Sequence, residues 1–349
     1  MKRTIPISYE FFLGMIQSHA RQDHSGFQKR AEAIITELSL SNRTGEAKVL
    51  RNTLSTLSAI NGKNSATMIP QIKPVLGSLR NGEPLITYPS RQISAEDIIL
   101  SPSTRSSIEK ILGEYRSRTR LEEAGLAPSS RILFWGPPGC GKTLTAQWLA
   151  NELGLTFGLV RLSAVITSYV GETASNLQKI FQQANETPMV ILLDEADAIA
   201  KNREDRNDVG ELKRVVNSLL QAMDELKPGR SIVIFASNHQ HLFDPAIWRR
   251  FDEVVEFPLP AQPQRLALLT RLTSGLKITG PLASVARQTA SASFADITRI
   301  CFEVAKAGVV QGTERNEIPV TALIVAWKDW KSRQAAATRL QKTGKRTSR

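Results

Sequence analysis

Eight residues, Gly136-Pro137-Pro138-Gly139-Cys140-Gly141-Lys142-Thr143, constrain this chain more than any other stretch. They satisfy G-x-x-x-x-G-K-[ST], the pattern of a loop that cradles phosphates. Glycines let the backbone turn tightly, so that successive N–H groups and a helix N-terminus converge on one anion. The flanks agree with that reading. Ile132-Leu133-Phe134-Trp135 is a short apolar run of buried-strand type, and Leu144-Thr145-Ala146-Gln147-Trp148-Leu149-Ala150 has helical spacing. The pattern therefore predicts a bound nucleoside triphosphate. Gly136, Pro137, Pro138, Gly139, Cys140, Gly141, Lys142, Thr143 and Leu144 line it, Lys142 reaches the β- and γ-phosphates, and the Thr143 hydroxyl takes a place on Mg²⁺.

A second stretch completes the chemistry. Met189-Val190-Ile191-Leu192-Leu193 is a buried-strand pattern that ends in two adjacent acids, Asp194 and Glu195. Packing gives no reason to place charge there, whereas nucleotide hydrolysis does. Asp194 is suited to hold Mg²⁺ through water, and Glu195 to polarise the attacking water. Asp197 reads instead as a helix cap.

A chain of 349 residues has room for two or three domains. Cys140 and Cys301 are its two cysteines, which excludes a disulfide framework and predicts a reducing, cytoplasmic setting. No apolar run approaches the roughly 18–20 residues of a membrane span. The net charge of +12 is uneven: residues 1–90 carry 11 basic and 6 acidic side chains, residues 328–349 carry 8 and 1, and the stretch between is balanced. Basic ends admit nucleic acid as a partner, but read first as solubilising segments around a neutral core.

Along the chain, residues 1–60 are expected to be a helical N-terminal region, either a recruitment bundle or a structural cap, with apolar stripes such as Phe27, Ala31, Ile34, Ile35 and Leu38. Residues 61–92 are a Pro- and Gly-rich linker with a short strand near Leu85-Ile86-Thr87-Tyr88. Strands and helices alternate over 93–259, predicting an α/β domain whose parallel sheet is sandwiched by helices. Its long first helix is expected from Ser103 to Ala124. After Pro258-Leu259-Pro260 the strand patterns stop, so 260–335 is expected to be a small all-α lid subdomain, followed by a basic tail over 336–349.

With both phosphate motifs in hand, the chain resembles the AAA family of P-loop ATPases, within the AAA+ superfamily, over roughly residues 93–335. Further stretches match in the family's order, and the resemblance implies a role for each. Ser231 to Asn238 is similar to the sensor-1 strand, which puts Asn238 beside the attacking water. The segment Phe243 to Asp252 resembles the one that bears arginine fingers, so Arg249 and Arg250 reach the γ-phosphate held by a neighbouring subunit. Tyr169-Val170-Gly171 resembles the aromatic–aliphatic–glycine loop that lines the pore of a hexameric ring and grips a protein substrate. Glu204 to Asp208 falls at a second pore loop, and Asp97-Ile98 falls where the adenine ring packs. No arginine opens the third lid helix at Ser291 to Ile297, as in the AAA clade, although Phe294 replaces a small residue.

The expectation is thus a cytoplasmic, Mg²⁺-dependent ATPase that assembles with itself, as a hexamer, and remodels or unfolds protein substrates through a central pore. Two alternatives come from other classes. One is a nucleic-acid-associated loader or regulator, against which the neutral core and the pore motif both count. The other is a nucleotide-gated switch for a separately encoded effector such as a protease.

Overall fold

The computed structural model describes residues 84–89, 92–166, 170–197, 209–238, 245–310 and 318–344, all within the compact unit Ile72–Arg349. The helices expected before residue 61, most of the linker, Tyr169, the 204–208 segment and the end of the basic tail lie outside the described residues.

A 3₁₀ turn at Ala95–Asp97 leads into α1 (Pro102–Arg116) and α2 (Arg118–Glu123). Ser101 caps α1 by accepting from the Thr104 amide, and Pro102 occupies its first turn, where the missing N–H is harmless. The single helix expected over 103–124 is broken at Ser117, whose amide turns back onto the Gly113 and Glu114 carbonyls. The α/β unit continues with β1 (Arg131–Trp135), α3 (Lys142–Leu153), β2 (Thr156–Arg161), α4 (Leu162–Ile166), α5 (Val170–Glu186) and β3 (Met189–Asp194). It closes with α6 (Val209–Asp224), β4 (Ile232–Ser237), α7 (Pro245–Trp248) and β5 (Glu253–Glu256).

The five strands form one parallel sheet, ordered β2-β3-β4-β1-β5. Strand periodicity explains its two covered faces. Leu133, Ile191, Leu193, Val233 and Phe235 pack against Leu177, Ile180 and Phe181 of α5 and Val215, Leu219 and Met223 of α6. Ile132, Phe134, Val190, Leu192, Ile232 and Ile234 face the other way, onto Ile108 and Ile111 of α1 and Trp148 and Leu149 of α3. Because both faces are covered, the central strands read as unbroken apolar runs. The linker segment joins at one edge: the Thr87 and Leu159 backbones exchange hydrogen bonds of 2.9 and 2.8 Å, with Leu85 and Ile86 buried beside them.

Beyond Pro260 come α8 (Gln262–Leu272), β6 (Ile278–Thr279), α9 (Leu282–Gln288), α10 (Phe294–Val310), β7 (Ile318–Pro319) and α11 (Val320–Gly344). These helices enclose a separate core that includes Leu268, Leu269, Val285, Ile297, Ile300, Leu323 and Trp327. The all-helical expectation needs one correction, since β6 and β7 pair in parallel over two residues each. The pairing is too short to leave an alternating pattern in the sequence. Among the described residues, no helix is long and apolar enough to cross a membrane.

Candidate active site

The phosphate loop connects the end of β1 to the start of α3, at the carboxyl edge of the sheet where open parallel sheets bind ligands. Two of its glycines are dictated by close approach. Gly136 has φ +144°, and a Cβ there would lie 2.1 Å from the Phe257 carbonyl oxygen; Gly139 has φ +76°, and its Cβ would fall 2.7 Å from that of Ala295. The loop is thus wedged between Phe257, the residue that follows β5, and the beginning of α10.

Lys142 is buried, and its ammonium donates to the Gly136 carbonyl at 2.7 Å, the Pro137 carbonyl at 3.1 Å and Asn238 Oδ1 at 2.9 Å. Burial pushes its pKa below the usual lysine value, an effect that the nearby Asp194 and Asp197 partly offset. The Thr143 hydroxyl donates to Asp194 Oδ2 at 3.2 Å, so the two expected metal ligands, fifty-one residues apart, converge. A hydroxyl and a carboxylate fit Mg²⁺, a hard cation that retains several waters and takes phosphate oxygens rather than an all-protein cage. The described residues contain no cluster of three or more metal-binding side chains.

Glu195 follows β3 with φ 58°, the one non-glycine residue with positive φ among those described. Such a conformation persists only when its surroundings hold it. Two contacts do so: its amide donates to Asp194 Oδ1 at 2.8 Å, and its carboxylate accepts a short hydrogen bond from the Ser163 hydroxyl. Ser163 lies on α4, shortly before Tyr169 in the chain. It had no signal in the sequence, because a serine after a strand is ordinary.

A cavity of about 510 Å³ runs from these groups toward the helical unit. Of the expected nucleotide contacts, Pro138, Gly139, Gly141, Lys142, Thr143, Leu144, Asp97 and Ile98 line it, as do Asp194, Glu195 and Asn238. Gly136 and Pro137 serve through the carbonyls that hold Lys142. Cys140 instead turns into the core, where burial raises its thiol pKa. The Asp97 carboxylate is engaged locally, accepting from the Ser94 amide and hydroxyl. Phe294 and Ala295, from the 291–297 stretch at which the resemblance puts the lid's contact with the nucleotide, also line the cavity, as do Leu268, Arg271 and Thr298; these last three were not legible as site residues, because their part comes from how the helices fold back. Neither Arg249 nor Arg250 is among the lining residues. Arg249 is exposed, and Arg250 Nε lies 3.0 and 3.1 Å from the two carboxylate oxygens of Asp224. Val170 and Gly171 open α5, whereas Tyr169 is outside the described residues.

Residues 132–259 match the model of the ATPase family associated with various cellular activities (AAA). An AAA family ATPase of Sinorhizobium fredii, y4kL, itself uncharacterised, is 35% identical over 340 residues, covering 95% of this chain and 98% of the relative. The proteasome-activating nucleotidase of Pyrococcus horikoshii is 41% identical over 190 residues, covering 52% of this chain and 48% of the nucleotidase. That of Thermococcus onnurineus is 37% identical over 225 residues, covering 60% and 56%. The chain thus spans about half the length of the nucleotidases that it matches. A phosphate loop, converging acids and a relative matched from end to end lead to one conclusion: the chain belongs to the AAA family of ATPases, enzymes that hydrolyse ATP.

Proposed function

We propose that this ATPase works as a closed ring of identical subunits, most simply a hexamer, in which each active site is completed by arginines of the next subunit. The observation that carries this reading is the charge distribution of the cavity. Among the described residues, Lys142 is the cation at its phosphate end, while Arg249 and Arg250 stand outside its lining. A γ-phosphate in transfer spreads negative charge over three oxygens, and an arginine supplied in trans lowers the barrier by about 10³–10⁵ in rate. Head-to-tail contacts that close on themselves give such a site its missing part.

In this reading Lys142 binds the β- and γ-phosphates, Thr143 and Asp194 hold Mg²⁺, and Asn238 and Glu195 orient the water. A bound Mg²⁺ would neutralise charge on the phosphate oxygens. The water oxygen bonds to the γ-phosphorus as the bond to the β–γ bridging oxygen breaks; Glu195 draws the water's proton, and the bridging oxygen leaves on ADP. Tyr169-Val170-Gly171 then transmits the work to a protein substrate, through α4 and the Ser163–Glu195 contact. Relatives named proteasome-activating nucleotidases support a protein partner over nucleic acid, and the cytoplasm is the compartment that fits this role.

The test uses Glu195→Gln. Turnover should fall about 100-fold or more while ATP stays bound, and the ATP-bound protein should sediment as a ring and retain a protein client. A monomer with ATP bound would rule the ring out.

A further inference from the structure

The segment Glu96–Ile99 is shared between two cores. Ile98 is buried in the α/β core beneath the sheet, while its neighbour Ile99 packs against the core of the helical unit. One side chain ties this segment down from the helical side: an Arg271 terminal nitrogen donates to the Glu96 carbonyl at 2.6 Å. Arg271 stands three residues after Leu268 on α8, so the two share a helix face, and both line the cavity, as do Asp97, Ile98 and Ile99.

The cavity thereby has two chemically distinct ends. Lys142, Thr143, Asp194, Glu195 and Asn238 make one end polar and suited to a triphosphate. The other end combines aliphatic side chains with the Arg271 guanidinium, which suits a flat base and its ribose. From the clamp and its place we infer that Arg271 is a positioning residue for the nucleoside half of ATP, holding the Glu96–Ile99 segment against α8 so that base and ribose are enclosed. This inference rests on the proposed placement of the phosphates at Lys142. An arginine anchored on a backbone carbonyl cannot read a base edge with that same donor. Its effect is therefore on how firmly the nucleoside is enclosed, not on the phosphate chemistry.

Inorganic tripolyphosphate separates the two ends, because it carries the phosphates and no nucleoside. In full-length Arg271→Ala, KM for ATP should rise about tenfold while kcat falls less than about threefold, the pattern of a lost binding interaction. The Ki of tripolyphosphate as a competitive inhibitor should stay within about twofold of wild type, and Arg271→Lys, which keeps one donor for the Glu96 carbonyl, should recover most of the loss. An unchanged KM would overturn the assignment. So would a parallel loss of ATP and tripolyphosphate binding, or a fall in the melting temperature of the nucleotide-free variant with no recovery in the lysine form. Lys142→Ala tests the underlying placement separately. It should weaken both ligands, and full tripolyphosphate binding by that variant would refute the phosphate end itself, whatever Arg271 does.

Discussion

The amide of Ala295 donates to the carbonyl of Gly139 at 3.2 Å, so the first turn of α10 is bonded directly to the phosphate loop. That turn is itself fixed. The Ser293 amide and hydroxyl donate to Asp296 Oδ2, and the Trp330 indole of α11 donates to Asp296 Oδ1 at 2.8 Å. The guanidinium of Arg299 lies 4.1 Å from the centroid of the same indole. Contacts thus run without a gap from the phosphate loop to the last helix.

Gly139 is where this path is most easily broken. In Gly139→Ala the new methyl meets Ala295 Cβ and Ser293 Oγ at 2.7 and 2.8 Å, in a backbone conformation hostile to L-residues. Stability should fall by about 2 kcal/mol, measured by urea denaturation, and KM for ATP should rise. Gly113→Ala, inside α1 with open space around its Cβ, is the control and should stabilise by about 0.5–1 kcal/mol.

The two thiols should be inert in the folded protein. Burial pushes Cys301 from 9.0 up to about 11 and raises Cys140 in the same direction. A raised thiol pKa favours the neutral folded form, so this stability is present below the unfolded pKa and is lost as pH rises through about 11. Labelling with a disulfide reagent at about pH 8 should therefore be slow for both cysteines and complete only in denaturant, and rapid labelling without unfolding would contradict the burial.

The two arginines should separate by stability rather than by rate. Arg250 pairs with Asp224, side chains 31% and 50% exposed, whereas Arg249 is exposed. Both alanine variants should lower kcat by about 10³-fold or more if both act in trans. Only Arg250→Ala should also cost stability, by about 1 kcal/mol or less because the pair is solvent-screened. Paired kinetics and thermal melts decide it.

Tyr169→Ala addresses the coupling to protein substrates. ATPase activity alone should be retained, while stimulation by an unstructured polypeptide should disappear, because a flat aromatic face is what grips an extended chain. Undiminished stimulation would favour a nucleotide-gated switch over threading.

The α/β core was legible in the sequence because its signals are local. Unbroken apolar runs mark β1, β3 and β4 to within about a residue, and the Gly-x-x-x-x-Gly-Lys-Thr spacing locates the loop by itself. Contacts made by folding back were not legible. Ser163 on Glu195, Arg271 on Glu96 and Ala295 on Gly139 join residues 32, 175 and 156 positions apart in the chain, and none of these pairings belongs to a motif. The break at Ser117 and the β6–β7 pair escaped for the opposite reason, since a single capped turn and a two-residue ladder are too short to leave a period.

The central claim, that each site is built from two chains, is tested most directly by mixing two inactive proteins. Lys142→Ala lacks the lysine that binds phosphate but keeps both arginines, and the Arg249→Ala/Arg250→Ala variant keeps the lysine but lacks the arginines. When equal amounts are co-assembled, random placement in a head-to-tail ring leaves about a quarter of the interfaces with both parts intact. Steady-state ATPase activity should accordingly recover to roughly that fraction of wild type. No recovery from mixed assemblies, or full activity in the double arginine variant alone, would contradict a site completed by its neighbour.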